Sequence, residues 1–275
     1  MGDMKCLLLL LCAGVTVSAA VDLQKRIING SPCGKEERRY HVKLIASDGT
    51  HNFLCGGSLI SESYVLTAAH CWKDGGQMTA FLGVHPGPPV PPEGVTITEH
   101  HIYNDRNGDH DIMLLKLSKP TKIPYVALPN KKKCENRHKL KTVRVAGYGA
   151  TTVFPNGTKG KDKPKELQCA DFPVVNCQKY QKGLQGSNDT YARYLFNGQT
   201  KTVDTAPGDS GGGVVHKCRI YGVHSFSGLN ACTGNAGFMD VCEYMPWIKE
   251  KVGLDFWNKV SNIALSKIGG KCLNP

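Results

Sequence analysis

The feature that most constrains this chain is a glycine-rich serine turn that needs partners from distant segments. The turn reads Gly208-Asp209-Ser210-Gly211-Gly212. Glycines let the backbone fold tightly and leave amide N–H groups pointing outward. Two possible partners precede it: His70, which follows Leu-Thr-Ala-Ala, and Asp111, which opens an apolar run. A serine hydroxyl needs a base to take its proton, and an imidazole needs an acceptor to fix its tautomer. The sequence therefore predicts a fold that joins three distant segments in one cleft.

The order His70, Asp111, Ser210, with these flanking residues, resembles the chymotrypsin/trypsin family of serine proteases. The resemblance covers roughly residues 27–253. It implies an all-β fold: two six-stranded antiparallel β-barrels packed together, at about 27–127 and 128–243, with a C-terminal helix. It also implies that His70, Asp111 and Ser210 are catalytic. The backbone N–H groups of Gly208 and Ser210 would form the oxyanion hole.

The same resemblance predicts a substrate pocket that prefers arginine or lysine. Asp204 stands where the family has the floor of the pocket that receives the side chain before the scissile bond. Ser225, Ser227 and Gly237 would supply the walls. Ser227 replaces a glycine common in open pockets, so we expect a narrower entrance. We also expect Ser225 to support Asp111 by a hydrogen bond.

The N-terminal residues predict export. Residues 1–19 combine Lys5, the apolar run Leu7–Leu11 and the small residues Val17-Ser18-Ala19. This is the pattern of a cleaved signal peptide. A membrane helix is the alternative, but the apolar run falls short of the roughly 20 residues that a span requires. We therefore predict a secreted protein, extracellular or stored in a secretory granule.

Residues 20–26 are interpreted as an activation pro-segment because they end in Lys25-Arg26. The following Ile27-Ile28-Asn29-Gly30 resembles the N-terminus that zymogens of the family expose. Cleavage after Arg26 would free an ammonium at Ile27 that can pair with Asp209, since a buried charge needs a partner. The alternative is that the dibasic pair is an uncut surface turn.

Cysteines and sequons agree with an exported chain. Twelve cysteines are present, and loss of the two in the signal leaves ten, an even number that implies disulfides. The family pattern pairs Cys33 with Cys169, Cys55 with Cys71 and Cys134 with Cys242. The remaining four, which allow three pairings, are Cys177, Cys218, Cys232 and Cys272. Asn156 and Asn188 open glycosylation sequons. No Cys-x-x-Cys spacing is present, and we expect neither a metal nor a cofactor.

The net charge of +11 makes acidic surfaces candidate partners. Basic residues are densest at 131–141 and at 159–165, and we group them as a candidate surface for sulfated glycans. A solvated basic face is the alternative. We expect protein or peptide substrates, protease inhibitors as partners, no nucleic acid, no membrane span in the mature chain, and a monomer. Residues 254–275 form a C-terminal extension that we expect to dock on the body. A non-catalytic homologue that binds through its basic face is the rival function.

Overall fold

The computed structural model describes residues 27–87, 92–175, 194–228 and 236–253. The predicted signal, pro-segment and C-terminal extension lie outside these ranges, as do Arg26, Asn188, Cys177, Cys232 and Cys272. The described residues are mostly β and form two antiparallel sheets. The two helices in this part of the chain, of five and eight residues, are too short to cross a bilayer.

The N-terminal sheet has the strand order β6-β5-β2-β3-β4-β8-β7. Its strands are β2 (His41–Ser47), β3 (Asn52–Leu59), β4 (Tyr64–Thr67), β5 (Gln77–Phe81), β6 (Gly94–Ile97), β7 (Glu99–Asp105) and β8 (Gly108–Lys116). Its two edge strands, β6 and β7, are separated in the chain only by Thr98. The sheet therefore curls until its ends meet at one residue. If 94–105 is taken as one bent strand, six strands surround this core, as predicted.

The C-terminal sheet is a closed six-stranded barrel. It contains β9 (Thr142–Gly147), β10 (Gln168–Val175), β11 (Leu195–Gly198), β12 (Gly213–His216), β13 (Arg219–Phe226) and β14 (Ala236–Asp240), and the pairing of β9 with β10 closes the ring. The short β1 (Ser31–Pro32) adds to β10 from outside. The predicted fold class is confirmed: two antiparallel β-barrel units with a C-terminal helix.

Local chemistry explains where the strands turn. The carboxylate of Asp48 accepts backbone hydrogen bonds from Thr50 and His51 at 2.9 and 2.7 Å, and Gly49 has a φ of +93°. Glycine adopts this conformation without a steric cost. The Asp48-Gly49 turn therefore joins β2 to β3. In β2 the buried side chains of Val42, Leu44 and Ala46 alternate with less buried ones, as a half-buried strand requires.

The two units share one apolar cluster. It contains Leu44 and Leu114 of the N-terminal sheet and Val223 and Met239 of the C-terminal barrel. The helix α2 (Met245–Val252) adds Ile248 to this cluster. The helix thus packs on side chains from both units and fixes the cleft between them.

Three disulfides have both of their cysteines among the described residues, and they are the three pairs predicted. Cys33 bonds to Cys169, Cys55 to Cys71, and Cys134 to Cys242. Cys218 is also disulfide-bonded.

The connection between the units is ordered rather than a plain linker. It begins with helix α1 (Lys131–Glu135), whose first turn is capped by the side chain of Asn130. Arg137 then forms ion pairs with Asp240, at 2.6 Å, and with Glu243. Together with Cys134–Cys242, these ion pairs attach the connection to the start of α2.

Candidate active site

His70 lies on a one-turn 3-10 helix, Ala69–Cys71, directly after β4. The preceding Ala68 is extended and fully buried. Cys71 is bonded to Cys55 of β3, so both sides of His70 are fixed to the sheet. The histidine itself is exposed at the surface of the cleft. Its backbone is therefore held while its ring stays accessible.

Asp111, in β8, is buried and holds the His70 ring. The Asp111 carboxylate accepts from the His70 backbone N–H at 2.9 Å and lies 2.9 and 3.0 Å from ring atom Nδ1. An ionised carboxylate can only accept, so Nδ1 carries the proton. Nε2 is then left with a lone pair. This arrangement fixes the tautomer in which His70 can act as a base.

Ser225, at the end of β13, supports the same carboxylate. Its hydroxyl donates a hydrogen bond to Oδ2 of Asp111, and the predicted contact is confirmed. Asp111 belongs to the N-terminal sheet and Ser225 to the C-terminal barrel. The contact therefore crosses the cleft and couples the orientation of His70 to the packing of the two units.

The serine turn packs against the segment that leads to His70. The amide of Gly56 donates to the backbone carbonyl of Ser210 at 2.7 Å. Gly211 has a φ of +78° and lies so close to the Thr67 side chain that a Cβ would clash. These contacts place Ser210 beside the His70 segment. In the described part of the chain, no hydrogen bond joins the Ser210 hydroxyl to the His70 ring.

Two backbone donors at this turn have no partner among the described residues. The N–H groups of Gly208 and Ser210 make no hydrogen bond there, although their neighbours Asp209, Gly211 and Gly212 all donate. Gly208 has a φ of +105°, which favours glycine. Unpaired N–H groups next to a nucleophile can stabilise a developing oxyanion.

Asp209 is buried under this turn in a cradle of backbone amides. Its carboxylate accepts from Gly149 at 2.8 Å and from Ala206 at 2.9 Å. A Cβ on Gly147 or Gly149 would clash with the carboxylate. Burial raises the pKa of Asp209 to about 7, while the two amides and nearby Lys159 oppose the rise. The backbone amides accommodate the carboxyl group of Asp209, but its ionisation in this buried position is unfavourable.

The N-terminal segment of the described chain runs close to the predicted pocket. Ile27 is fully buried with apolar side chains of the C-terminal barrel, among them Val143 and Phe238. The next carbonyl, that of Ile28, accepts from the Asp204 amide at 3.0 Å. The segment predicted to follow an activation cleavage is therefore already seated beside the pocket residues.

A polar network that includes Ser227 lies in the region of the predicted pocket. Thr205 Oγ1 lies 2.7 Å from Ser227 Oγ and 2.9 Å from Nε2 of His224. Burial lowers the pKa of His224 to about 3, with His70 and Lys159 adding repulsion, so the ring is neutral. The Phe226 ring covers Gly237 across the β13–β14 pair. The two strands of this wall are therefore in close contact, and the narrow entrance expected from Ser227 stays a prediction.

Asp204 lies at the base of this region with an unexpected partner. Its Oδ2 is 2.9 Å from Nζ of Lys159, and the two side chains are 3% and 6% exposed. Our grouping of Lys159 with an exposed basic surface was therefore wrong. Lys161, Lys163 and Lys165 of the same stretch are exposed. Sequence reasoning also missed Thr205 and His224, whose only signal was their position beside Asp204 and Ser225.

Three histidines of β7 and β8 could be imagined as metal ligands, but each has its own partner. His100 stacks on Trp72 with ring centroids 3.9 Å apart. His101 pairs with Glu99 at 3.2 Å. His110 is buried with its Nδ1 2.9 Å from the hydroxyl of Tyr244. They do not converge on one point.

Asn156 lies at an exposed turn where it can be modified. Its Oδ1 accepts from the amide and the hydroxyl of Thr158, at 3.1 and 2.7 Å. The residue itself is exposed. Glycosylation at this sequon stays a prediction.

Comparison with known proteins gives one consistent result. The family described as Trypsin matches residues 27–248. Trypsin-4 of Rattus norvegicus is 34% identical over 250 residues, which cover 86% of this chain and 94% of the relative. Serine protease 1 of Canis lupus familiaris is 31% identical over 260 residues, covering 90% and 99%. Cationic trypsin-3 of Rattus norvegicus is 34% identical over 263 residues, covering 90% and 99%.

Proposed function

The chain belongs to the trypsin family, and from that premise we propose that it is a secreted serine endopeptidase that cuts peptide bonds after arginine or lysine. The observation that carries the proposal is the hydrogen-bonded array His70–Asp111–Ser225 beside the Ser210 turn. A carboxylate that fixes the Nδ1–H tautomer leaves Nε2 to accept the proton of a nucleophile.

The proposed chemistry is acyl transfer to water. Oγ of Ser210 forms a bond to the peptide carbonyl carbon while its proton passes to Nε2 of His70. The N–H groups of Gly208 and Ser210 receive the negative oxygen. His70 then gives the proton to the departing amine, and water hydrolyses the acyl group in a second, mirrored step. Loss of one oxyanion donor typically costs roughly 3 kcal/mol of transition-state stabilisation.

Asp204 is the proposed recognition group for a cationic side chain, with Ser225, Ser227 and Gly237 around it. Asp204 is deeply buried, and its carboxylate offers a cationic substrate side chain a charge partner that a neutral side chain cannot use.

Activation is proposed to follow cleavage after Arg26. The match to the family begins at Ile27, the residue that cleavage would make N-terminal. Asp209 offers a buried carboxylate whose ionisation is unfavourable without a cation. An ammonium at Ile27 would supply that cation and stabilise the turn that carries Gly208 and Ser210. Residues 1–19 are proposed as the secretion signal and 20–26 as the pro-segment.

The test uses protein cleaved after Arg26 and a fluorogenic peptide amide ending in arginine. We expect hydrolysis and covalent labelling of Ser210 by a fluorophosphonate. Ser210→Ala should abolish both, whereas Ser118→Ala, at an exposed serine, should abolish neither. Asp204→Ser should lower kcat/KM for the arginine substrate at least about a hundredfold. An unlabelled wild type would overturn the proposal, and an unchanged arginine preference in Asp204→Ser would overturn the specificity.

A binding module is the second candidate, favoured by the exposed lysines of the inter-unit connection. Lys131, Lys132, Lys133, Lys139 and Lys141 are all exposed on or after α1. A positive surface of this kind attracts polyanions. Retention of Ser210→Ala on a sulfated polysaccharide column, lost when these lysines are changed to glutamine, would support it. Protein inhibitors that occupy the cleft are further expected partners.

A further inference from the structure

Lys159 is the one basic residue of the stretch 159–165 whose side chain turns inward. It follows the exposed sequon turn, in which the amide of Phe154 donates to the carbonyl of Thr158 at 2.9 Å. An isolated bridge then pairs Val153 with Lys159. Asp162 anchors the loop by accepting from the amides of Thr151 and Thr152. The backbone around Lys159 is therefore fixed, and its side chain reaches the base of the pocket from a held position.

The buried ammonium of Lys159 has two acceptors. It lies 2.9 Å from Oδ2 of Asp204 and donates to the carbonyl of Thr205 at 2.6 Å. The other oxygen of Asp204 accepts from the Thr205 amide at 2.7 Å. Burying a lysine is unfavourable unless the charge is paired and hydrogen-bonded. Both conditions are met here, so the ion pair between Lys159 and Asp204 is a structurally supported part of the pocket base.

This pair has a direct consequence for substrate recognition. A substrate arginine or lysine carries the same charge as Lys159 and needs the same carboxylate. Asp204 is nearly closed to solvent, and two cations close to one carboxylate repel each other strongly in such surroundings. A cationic substrate side chain must therefore displace Lys159 or tolerate its charge.

We propose that Lys159 is a specificity-determining residue that competes with the substrate's basic side chain for Asp204. The inference rests on the proposed function, because it assumes that Asp204 receives the substrate. Lys159 then raises KM for arginine and lysine substrates and leaves the acyl-transfer step itself untouched. This competition makes the enzyme selective among basic substrates, because only substrates with enough additional contacts along the cleft displace Lys159 from Asp204.

The first test compares three variants of the cleaved protein. Lys159→Met keeps the length of the side chain and removes the charge, Lys159→Arg keeps a cation, and Lys161→Met removes an exposed charge two residues away. We expect Lys159→Met to lower KM for the arginine amide at least tenfold. We expect kcat, and the rate of fluorophosphonate labelling of Ser210, to change less than twofold. Lys159→Arg and Lys161→Met should behave like the wild type. An unchanged or higher KM in Lys159→Met would overturn the proposal.

The second test does not require catalysis, so it separates failure of this inference from failure of the proposed function. An aromatic amidine, which mimics a guanidinium, is titrated calorimetrically into Ser210→Ala and into Ser210→Ala/Lys159→Met. We expect at least tenfold tighter binding in the double variant, and equal affinities would contradict the competition. If no variant is labelled by the fluorophosphonate but the amidine still binds more tightly without Lys159, catalysis fails and the competition stands.

The third test uses unaltered sequence, in case Lys159→Met does not fold. An amine-acylating reagent is applied with and without saturating amidine, and each lysine is followed by mass spectrometry. Lys159 should be protected relative to Lys161 in the free protein and should become reactive when the amidine is bound. Equal protection in both states would show that the amidine does not displace Lys159, and would overturn the proposal.

Discussion

The titration of Asp209 gives the sharpest prediction for the uncleaved chain. Its carboxyl is fully buried and has a pKa of about 7, against an ordinary value of 3.8. Between these two pH values the native carboxyl holds a proton that the unfolded chain has lost. Raising the pH therefore destabilises the native state, by roughly 1.4 kcal/mol per pH unit. Across about three units the loss is on the order of 4 kcal/mol.

The perturbation is Asp209→Asn in an Arg26→Gln background that keeps the chain uncleaved. Asparagine does not titrate, so this loss should vanish. Its NH₂ group would face one of the two amides that now donate to Asp209, those of Gly149 and Ala206. That mismatch costs about 1–3 kcal/mol, but it does so at every pH. The variant should thus be less stable than its parent at pH 4 and lose much less stability towards pH 7.5.

The assay is urea unfolding, followed by tryptophan fluorescence with disulfides intact, from pH 4 to pH 7.5. Asp162→Asn is the control. Burial raises the pKa of Asp162, but hydrogen bonds from Thr151 and Thr152 outweigh this effect and hold the pKa at about 2. Its native carboxylate is already ionised above pH 4, so the slope should match that of the parent. Parallel pH profiles for Asp209→Asn and its parent would refute the reasoning. Cleavage after Arg26 should flatten the profile, because the freed ammonium supplies a partner for ionised Asp209.

Two further predictions concern the cleft and its frame. Ser225→Ala removes the donor to Oδ2 of Asp111. Because one charge-assisted hydrogen bond is lost, we expect kcat to fall roughly tenfold with little change in KM. Steady-state kinetics across pH checks this, and a change confined to KM would contradict it. Arg137→Ala leaves the nearly buried carboxylate of Asp240 without its cation. We therefore expect the free energy of unfolding, measured by urea titration, to fall by about 1–3 kcal/mol. Arg106→Ala is the exposed control, and an unchanged midpoint in Arg137→Ala would show that the ion pair contributes nothing.

The sequence predicted those parts of the fold that leave a local signature. The alternation in β2, the Asp48-Gly49 turn and the apolar run after Asp111 each have a period or a turn residue that points to one structure. Other elements lacked such a signal. β11 is a four-residue strand, Leu195–Gly198, held by its neighbours β10 and β14. Helix α1 is five residues long and largely lysine, a composition that favours a solvated basic segment over a helix.

The site shows the same division. His70, Asp111 and Ser210 could be identified as candidates because their flanking residues form recognisable motifs, and the structure adds how Asp111 holds the ring. Lys159 could not be identified, because its inward direction depends on a turn several residues long and on a carboxylate far along the chain. Composition favours a solvated lysine, and only tertiary packing overrides it.

The placement of the disulfides decides how the molecule responds to a cut in the loop that contains Lys161 and Lys165, because both residues are exposed and neither is followed by proline. Such a nick separates Cys33 and Cys134 from their partners Cys169 and Cys242 along the backbone, yet both bridges span the break. The two pieces would stay together on a non-reducing gel and part only after reduction. Self-digestion at this loop would therefore create a disulfide-linked two-chain form of unaltered size rather than separate fragments.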